Sequence, residues 1–167
     1  MVTRNSITNV ILNRVIMQKT LKSESEMIEF GAMIGRLLSG GEMIELVGDV
    51  GAGKTTFTKG LAIGLTIKED IQSPTFTISR VYDARDALHL AHYDFYRLND
   101  AGIMTHELDE AINDPQTITV VEWGDVVQEI LPKDRIQIRL TSPSIDDRIA
   151  AITAYGKKYE ALIGNLT

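Results

Sequence analysis

The chain has no cysteine among its 167 residues, which removes disulfides, thiolate zinc sites and a cysteine nucleophile from consideration. It is also short of positive charge: 17 lysines and arginines stand against 23 aspartates and glutamates, for a formal net charge of −6. Sequence-blind nucleic-acid binding draws most of its affinity from neutralised phosphates, so this balance argues against it. A local basic patch or a protein partner is still compatible. No apolar run approaches the roughly 20 residues that a membrane span requires. Residues 1–14 interrupt Val10-Ile11-Leu12 with Asn9 and Asn13 and carry no small-residue cleavage pattern, so they do not read as a signal peptide. Internal repeats, low-complexity tracts and long linkers are missing too. These absences describe a cytoplasmic chain. Its length and its 44% hydrophobic content suit one ordinary globular unit. A flexible extension over 1–14 followed by a single domain over 15–167 is expected.

What is present begins with Val15-Ile16-Met17-Gln18-Lys19-Thr20, which reads as a first strand. Ser23 and Glu26 have the spacing of a capping box. Met27, Phe30, Ile34, Leu37 and Leu38 follow near the helical period, and Gly40-Gly41 stops that helix. Met43 to Val47 is a short apolar strand, and a helix resumes over Phe57 to Leu65. Phe76 to Tyr82 and Leu88 to Asp94 read as two strands of a hairpin turning at Asp83 to Asp86. Leu98 to Ile112 reads as helix, Thr117 to Glu122 as a β-branched strand, and Asp125 to Ile130 as a short helix. Two more strands, Arg135 to Thr141 and Arg148 to Ala154, precede a terminal helix over Lys157 to Ile163. Elements that alternate early and pair as hairpins later predict an α/β fold with a mixed parallel and antiparallel sheet flanked by helices.

Between the second strand and the second helix, Gly48-Asp49-Val50-Gly51-Ala52-Gly53-Lys54-Thr55 fits G-x-x-x-x-G-K-[ST] in full. Glycines let such a loop wrap a polyphosphate and turn its N–H groups inward. The helix that starts near Lys54 adds its positive N-terminal end. In this motif Lys54 reaches the β- and γ-phosphates, the Thr55 hydroxyl ligates Mg²⁺, and Thr56 is placed to touch the α-phosphate. Nucleotide binding is the expectation.

Hydrolysis needs an anchored metal and a positioned water as well. Asp94 and Glu122 each end an apolar strand, where α/β folds gather their ligands. Glu122 resembles a Walker B carboxylate. His89 and His92 are read as sharing one face of their strand and as structural, since neither has a second ligand at metal spacing. Trp123 directly follows Glu122 and would report on the same site.

Further segments narrow the field. Ser73-Pro74-Thr75-Phe76 resembles the S-P-T-F switch of the TsaE (YjeE) family. His92-Tyr93-Asp94-Phe95-Tyr96-Arg97-Leu98 resembles its H-x-D-x-Y-R-L motif. Val121-Glu122-Trp123-Gly124 with Leu131-Pro132 resembles its E-W and L-P segments, and the phosphate loop is close to the family's G-D-L-G-A-G-K-T-T. The resemblance implies a P-loop NTPase three-layer sandwich that binds ATP and Mg²⁺. It places Thr55, Asp94 and Glu122 around the metal and the attacking water, and makes Ser73 and Thr75 a γ-phosphate switch. It puts the adenine near the turn at Ser23 to Ser25. It implies an ATPase, weak alone, accessory to a TsaD-like threonylcarbamoyl transferase and its TsaB-like paralogue. That complex makes N6-threonylcarbamoyladenosine at tRNA adenosine 37, and tRNA contact would be indirect. Departures are Thr66, where a glycine is common, and His106-Glu107-Leu108-Asp109, which lacks the family's glycine.

A small-molecule kinase would need an acceptor pocket and an arginine-bearing lid, and only Arg97 follows Asp94 closely. A GTPase would need N-K-x-D and D-x-x-G elements, which are missing. A nucleotide-sensing adaptor would differ only in lacking hydrolysis.

Overall fold

The computed structural model describes residues 16–166; the extension expected over 1–14 and Val15 of the first strand lie outside them. Seven strands and four helices follow in the order β1 (Met17–Leu21), α1 (Glu24–Leu37), β2 (Met43–Val47), α2 (Lys54–Gly64), β3 (Ser79–Asp83), β4 (His89–Asp94), α3 (Met104–Asn113), β5 (Thr117–Glu122), β6 (Arg135–Thr141), β7 (Arg148–Tyr155) and α4 (Lys157–Gly164). The strands form one sheet in the order β1-β7-β6-β2-β5-β4-β3. β6, β2, β5 and β4 run parallel, while β3, β7 and β1 are added antiparallel at the edges. β5 is buried along its whole length and β2 along all but its last residue. That is why both read as continuous apolar or β-branched runs rather than alternating ones.

The sheet has helices on both faces, as the mixed α/β expectation required. On one face Leu46, Leu90, Ile118 and Val120 pack with Phe30 and Ile34 of α1, Phe57 and Leu61 of α2, and Tyr159 and Ile163 of α4. On the other, Met43, Tyr93 and Val121 pack with Leu108 of α3. α1 and α2 touch backbone to backbone through Gly31 and Gly35 on one side and Gly60 and Gly64 on the other. A Cβ at any of the four would overlap a carbonyl oxygen of the facing helix. Gly64, at the end of α2, is therefore a contact point. The seam sets α1 and α2 side by side, with Met27 near the start of α1 against Gly53 at the end of the phosphate loop.

Local chemistry explains where elements begin and end. The Ser23 hydroxyl caps α1 by accepting the Glu26 amide at 3.1 Å, while the Glu26 carboxylate takes the Lys22 amide at 2.7 Å. The capping box is thus present with its return bond one residue earlier than the motif predicts. β3 starts at Ser79 rather than Phe76, because the Pro74 carbonyl accepts both the Thr77 and Ile78 amides and folds 74–78 into a turn. α3 starts at Met104 rather than Leu98, because the Asp100 carboxylate holds the Gly102 amide at 2.9 Å with Gly102 at φ 48. Such Asx turns compete with helix nucleation. The segment after Trp123 is a 3-10 turn over Gly124–Val127.

His89 and His92 do not share a face. Residues three apart in a strand of period two point to opposite sides. His89 lies at the exposed start of β4 with Nδ1 3.1 Å from Asp83, whereas His92 is fully buried on the α2 side.

Candidate functional site

The C-terminal ends of β2, β5 and β4 lie in register, with Leu46 opposite Glu122 and Glu122 opposite Asp94. Period-two alternation puts both acids on the face that carries Leu90 and Val120, toward α2. The phosphate loop leaves β2 just above them. Gly51 and Gly53 have φ values of 81° and 103°, which other residues rarely adopt. Gly48 is forced differently: a Cβ there would sit 2.6 Å from the Leu140 carbonyl oxygen.

These pieces enclose a cavity of about 360 Å³ lined by Val50, Gly51, Gly53, Lys54, Thr55, Thr56, Ser73, Thr75, Asp94 and Glu122, together with Tyr96 and Trp123. Ten of the candidate positions therefore meet in one place. Gly48, Asp49 and Ala52 line the other side of the loop, facing a second cavity of about 550 Å³ that Val50 also borders. The turn at Ser23 and Glu24 borders a third, of about 390 Å³, which reaches the loop at Gly51, Gly53 and Thr56.

Lys54 is buried at the floor of the loop. Its Nζ donates to the carbonyl oxygens of Gly48 at 2.7 Å and Asp49 at 2.9 Å, and lies 4.8 Å from the centre of the Trp123 ring. Burial pushes its pKa below the usual lysine value, and the nearby carboxylates of Glu122, Asp94 and Asp49 oppose that shift. Trp123 adopts a left-handed backbone at φ 55 and packs on Tyr96, with ring centres 4.9 Å apart. Arg97 lies over the exposed Phe76 ring at 4.2 Å.

Each acid is held by its own partners. Asp94 Oδ2 accepts the Thr75 hydroxyl at 2.7 Å and the Ser73 hydroxyl at 3.3 Å, while Oδ1 accepts the Tyr96 amide at 2.9 Å. Glu122 Oε1 lies 2.7 Å from His92 Nε2. The donor set of two carboxylates and the Thr55 hydroxyl suits a small hard cation that takes its other ligands from phosphate and water. The glycine-wrapped loop, its lysine and the α2 N-terminus suit an oxyanion.

Sequence reasoning took His92 as structural and gave Tyr96 no part in this arrangement, whereas Trp123 it placed beside the site. One signal was available: the two-residue spacing from His92 to Asp94 puts both on the same strand face.

A loop of this shape between a central parallel strand and a helix, above two strand-end carboxylates, defines a P-loop NTPase fold. A family model described as "Threonylcarbamoyl adenosine biosynthesis protein TsaE" matches residues 21–150. The chain belongs to the TsaE family. The tRNA threonylcarbamoyladenosine biosynthesis protein TsaE of Bacillus subtilis strain 168 is 42% identical over 127 residues, covering 76% of this chain and 78% of that one. The protein of the same description from Streptomyces coelicolor is 37% identical, covering 78% and 90%. The crystal structure of Bacillus subtilis YdiB superposes with a TM-score of 0.75 at 32% identity, over 90% of this chain and 93% of the other. Among the described residues no helix is long and apolar enough to cross a membrane.

Proposed function

We propose that the chain is a Mg²⁺-dependent ATPase that serves a threonylcarbamoyl transferase without transferring the group itself. The observation that carries this reading is the meeting of Lys54 and Thr55, two strand-end carboxylates and two loop hydroxyls around one cavity. The curated relatives' names supply the pathway, threonylcarbamoyladenosine formation on tRNA. The phosphates of ATP lie in the loop from Gly48 to Thr56, and the nucleoside end extends toward Ser23 along the cavity that adjoins Gly53 and Thr56. Thr55, Asp94 and Glu122 would hold Mg²⁺, which neutralises charge on the phosphates when bound.

Water attacks the γ-phosphorus, the bond from that phosphorus to the β–γ bridging oxygen breaks, and ADP and inorganic phosphate leave. Lys54 draws negative charge from the phosphates. Asp94 and Glu122 orient the water and accept its proton. Ser73 and Thr75 bond Asp94, so a γ-phosphate competing for those hydroxyls would shift the 73–78 loop. A ligand moves such an equilibrium only by its difference in affinity for the two loop states. The partners are a TsaD-like transferase and its TsaB-like paralogue in the cytoplasm. With a net charge of −6, the chain reaches tRNA indirectly, through that complex.

The test is ATP hydrolysis by the purified chain, alone and with the two partners, with Lys54→Ala as control. Turnover that rises with the partners and disappears in the variant is the expected result. Tight ATP binding with neither hydrolysis nor complex formation would reject the proposal.

A further inference from the structure

His92 is a buried polar side chain that touches a carboxylate of the site without lining the cavity. It sits mid-strand in β4, wholly inaccessible, and its Nε2 lies 2.7 Å from Oε1 of Glu122, itself only 3% exposed. The pairing is diagonal. His92 is opposite Val120 in the parallel register and Glu122 is opposite Asp94, so the imidazole reaches across to the residue two further along β5. His92 Nδ1 has no hydrogen-bond partner among the described residues. The ring is therefore tied by one nitrogen to one acceptor. A ring serving only to fill the core would not require that acceptor to be a cavity-lining carboxylate.

We infer that His92 is a positioning residue for Glu122, donating from Nε2 to Oε1 so that the carboxylate is fixed in one orientation toward the phosphate cavity. This inference rests on the ATPase reading. A carboxylate on a strand end has two free side-chain torsions before its terminal rotation. Tying one oxygen to a rigid, packed imidazole restricts them and leaves the rest of the group to face Lys54, Thr55 and Asp94. Groups that hold a site residue this way from behind are those whose loss lowers activity by roughly 10–100-fold without touching substrate. The neighbouring acid is held by different means, through the Tyr96 amide and the switch hydroxyls. Asp94 thus takes bonds from the 73–78 loop, whereas the bond to Glu122 comes from within the sheet.

The variants are His92→Gln, His92→Asn and His92→Leu in the full chain, assayed with the transferase and its paralogue. Gln extends its amide to about the position of Nε2, Asn stops short near Nδ1, and Leu offers no donor. The expected pattern is a fall in kcat of roughly 10–100-fold in the Leu and Asn variants. KM and the affinity for a fluorescent ADP analogue stay near wild type, and Gln recovers most of the loss. If the Leu variant fails to fold, the Asn and Gln pair decides. Equal impairment of those two, or a parallel loss of nucleotide affinity, overturns the inference. So does unchanged kcat in all three variants. A readout independent of turnover is carbon-13 relaxation at Glu122 Cγ, where the Asn variant should show a more mobile side chain than the Gln variant. Unchanged order there overturns the positioning role. An inactive wild type with an ordered Glu122 that loosens in the Asn variant would reject the ATPase reading instead and leave the positioning role standing.

Discussion

The Thr75 hydroxyl lies 2.7 Å from Oδ2 of Asp94, joining the loop after the second helix to the end of a strand 19 residues further along the chain. Thr75→Val keeps the shape and removes the bond. A hydrogen bond to a charged acceptor contributes about 1.5–3 kcal/mol when sheltered and less at a half-exposed residue, so roughly 1 kcal/mol of local stability should be lost. Hydrogen exchange at the Thr77 and Ile78 amides, which bond the Pro74 carbonyl, should then accelerate about fivefold. Exchange as slow as in the wild type would mean that Asp94 does not tether the loop.

Lys54→Ala should leave the fold intact while weakening nucleotide binding. The native ammonium is buried against two loop carbonyls with its pKa held down by that burial. Removing it relieves a desolvated charge and deletes the only lysine or arginine among the described residues that line the cavity. Charged hydrogen bonds of this kind are worth about 1.5–3 kcal/mol, so affinity for ATP should fall roughly 10- to 100-fold. Titration with a fluorescent ATP analogue, alongside thermal melting, separates the two effects.

Glu45 sits beneath the second cavity, almost wholly buried, with Oε2 accepting Arg135 Nε at 2.8 Å and Gln137 Nε2 at 3.0 Å, and Oε1 accepting Gln128 Nε2 at 2.8 Å. Burial pushes its pKa up, but the bonds from Gln137, Arg135 and Gln128 and the Arg135 charge outweigh that. The net shift is below the ordinary value of 4.5. A carboxylate with a depressed folded pKa stabilises the fold fully above its unfolded value and loses that contribution as pH falls through the folded one. Glu45→Gln should therefore be less stable than wild type at neutral pH, by about 2 kcal/mol. The difference should shrink below pH 4.5. Urea melts across pH 3 to 7 would refute this if the gap stayed constant.

The helix seam offers a stability test with no site residue involved. At Gly60 a Cβ would overlap the Ile28 carbonyl oxygen, and Gly31 Cα lies within 2.9 Å of the same point. Gly60→Ala raises helix propensity, yet the clash should dominate and cost about 1–3 kcal/mol. For a domain of this size that is a drop of roughly 2–4 °C per kcal/mol in Tm. Because the same helix pair sets Met27 of α1 against Gly53 of the phosphate loop, nucleotide affinity should weaken with it.

Much of this was readable in the chain because it depends on neighbours in sequence. The phosphate loop, the Ser23 cap, the β-branched run ending at Glu122 and the hairpin at Asp83 are all set by spacing and local chemistry. The His92–Glu122 bond is different in kind. It depends on β4 lying beside β5 in a parallel register, which no short window specifies. Phe76 looked like strand because its aromatic and β-branched neighbours have that propensity, but the Pro74 carbonyl captured the amides first. The four seam glycines carried a visible four-residue spacing in each helix. Their meaning appears only when the two helices face each other.

Thr66 illustrates a departure that the structure turns into a measurement. α2 ends in paired bonds from the Thr66 amide to the Ile63 carbonyl and from the Ile67 amide to the Ala62 carbonyl, the arrangement of a Schellman motif. The residue between cap and continuation must then be left-handed, and Thr66 is, at φ 61. A β-branched residue is strained there, by about 1–2 kcal/mol relative to one without a Cβ. The side chain is exposed, and its hydroxyl makes no hydrogen bond among the described residues. Thr66→Gly should therefore stabilise the protein by roughly 1 kcal/mol, less a small penalty for the freer unfolded chain. Thr66→Ala should recover much less, since it keeps the Cβ that causes the strain. Equal melting temperatures for the glycine and alanine variants would show that the left-handed cap is not the source of the strain.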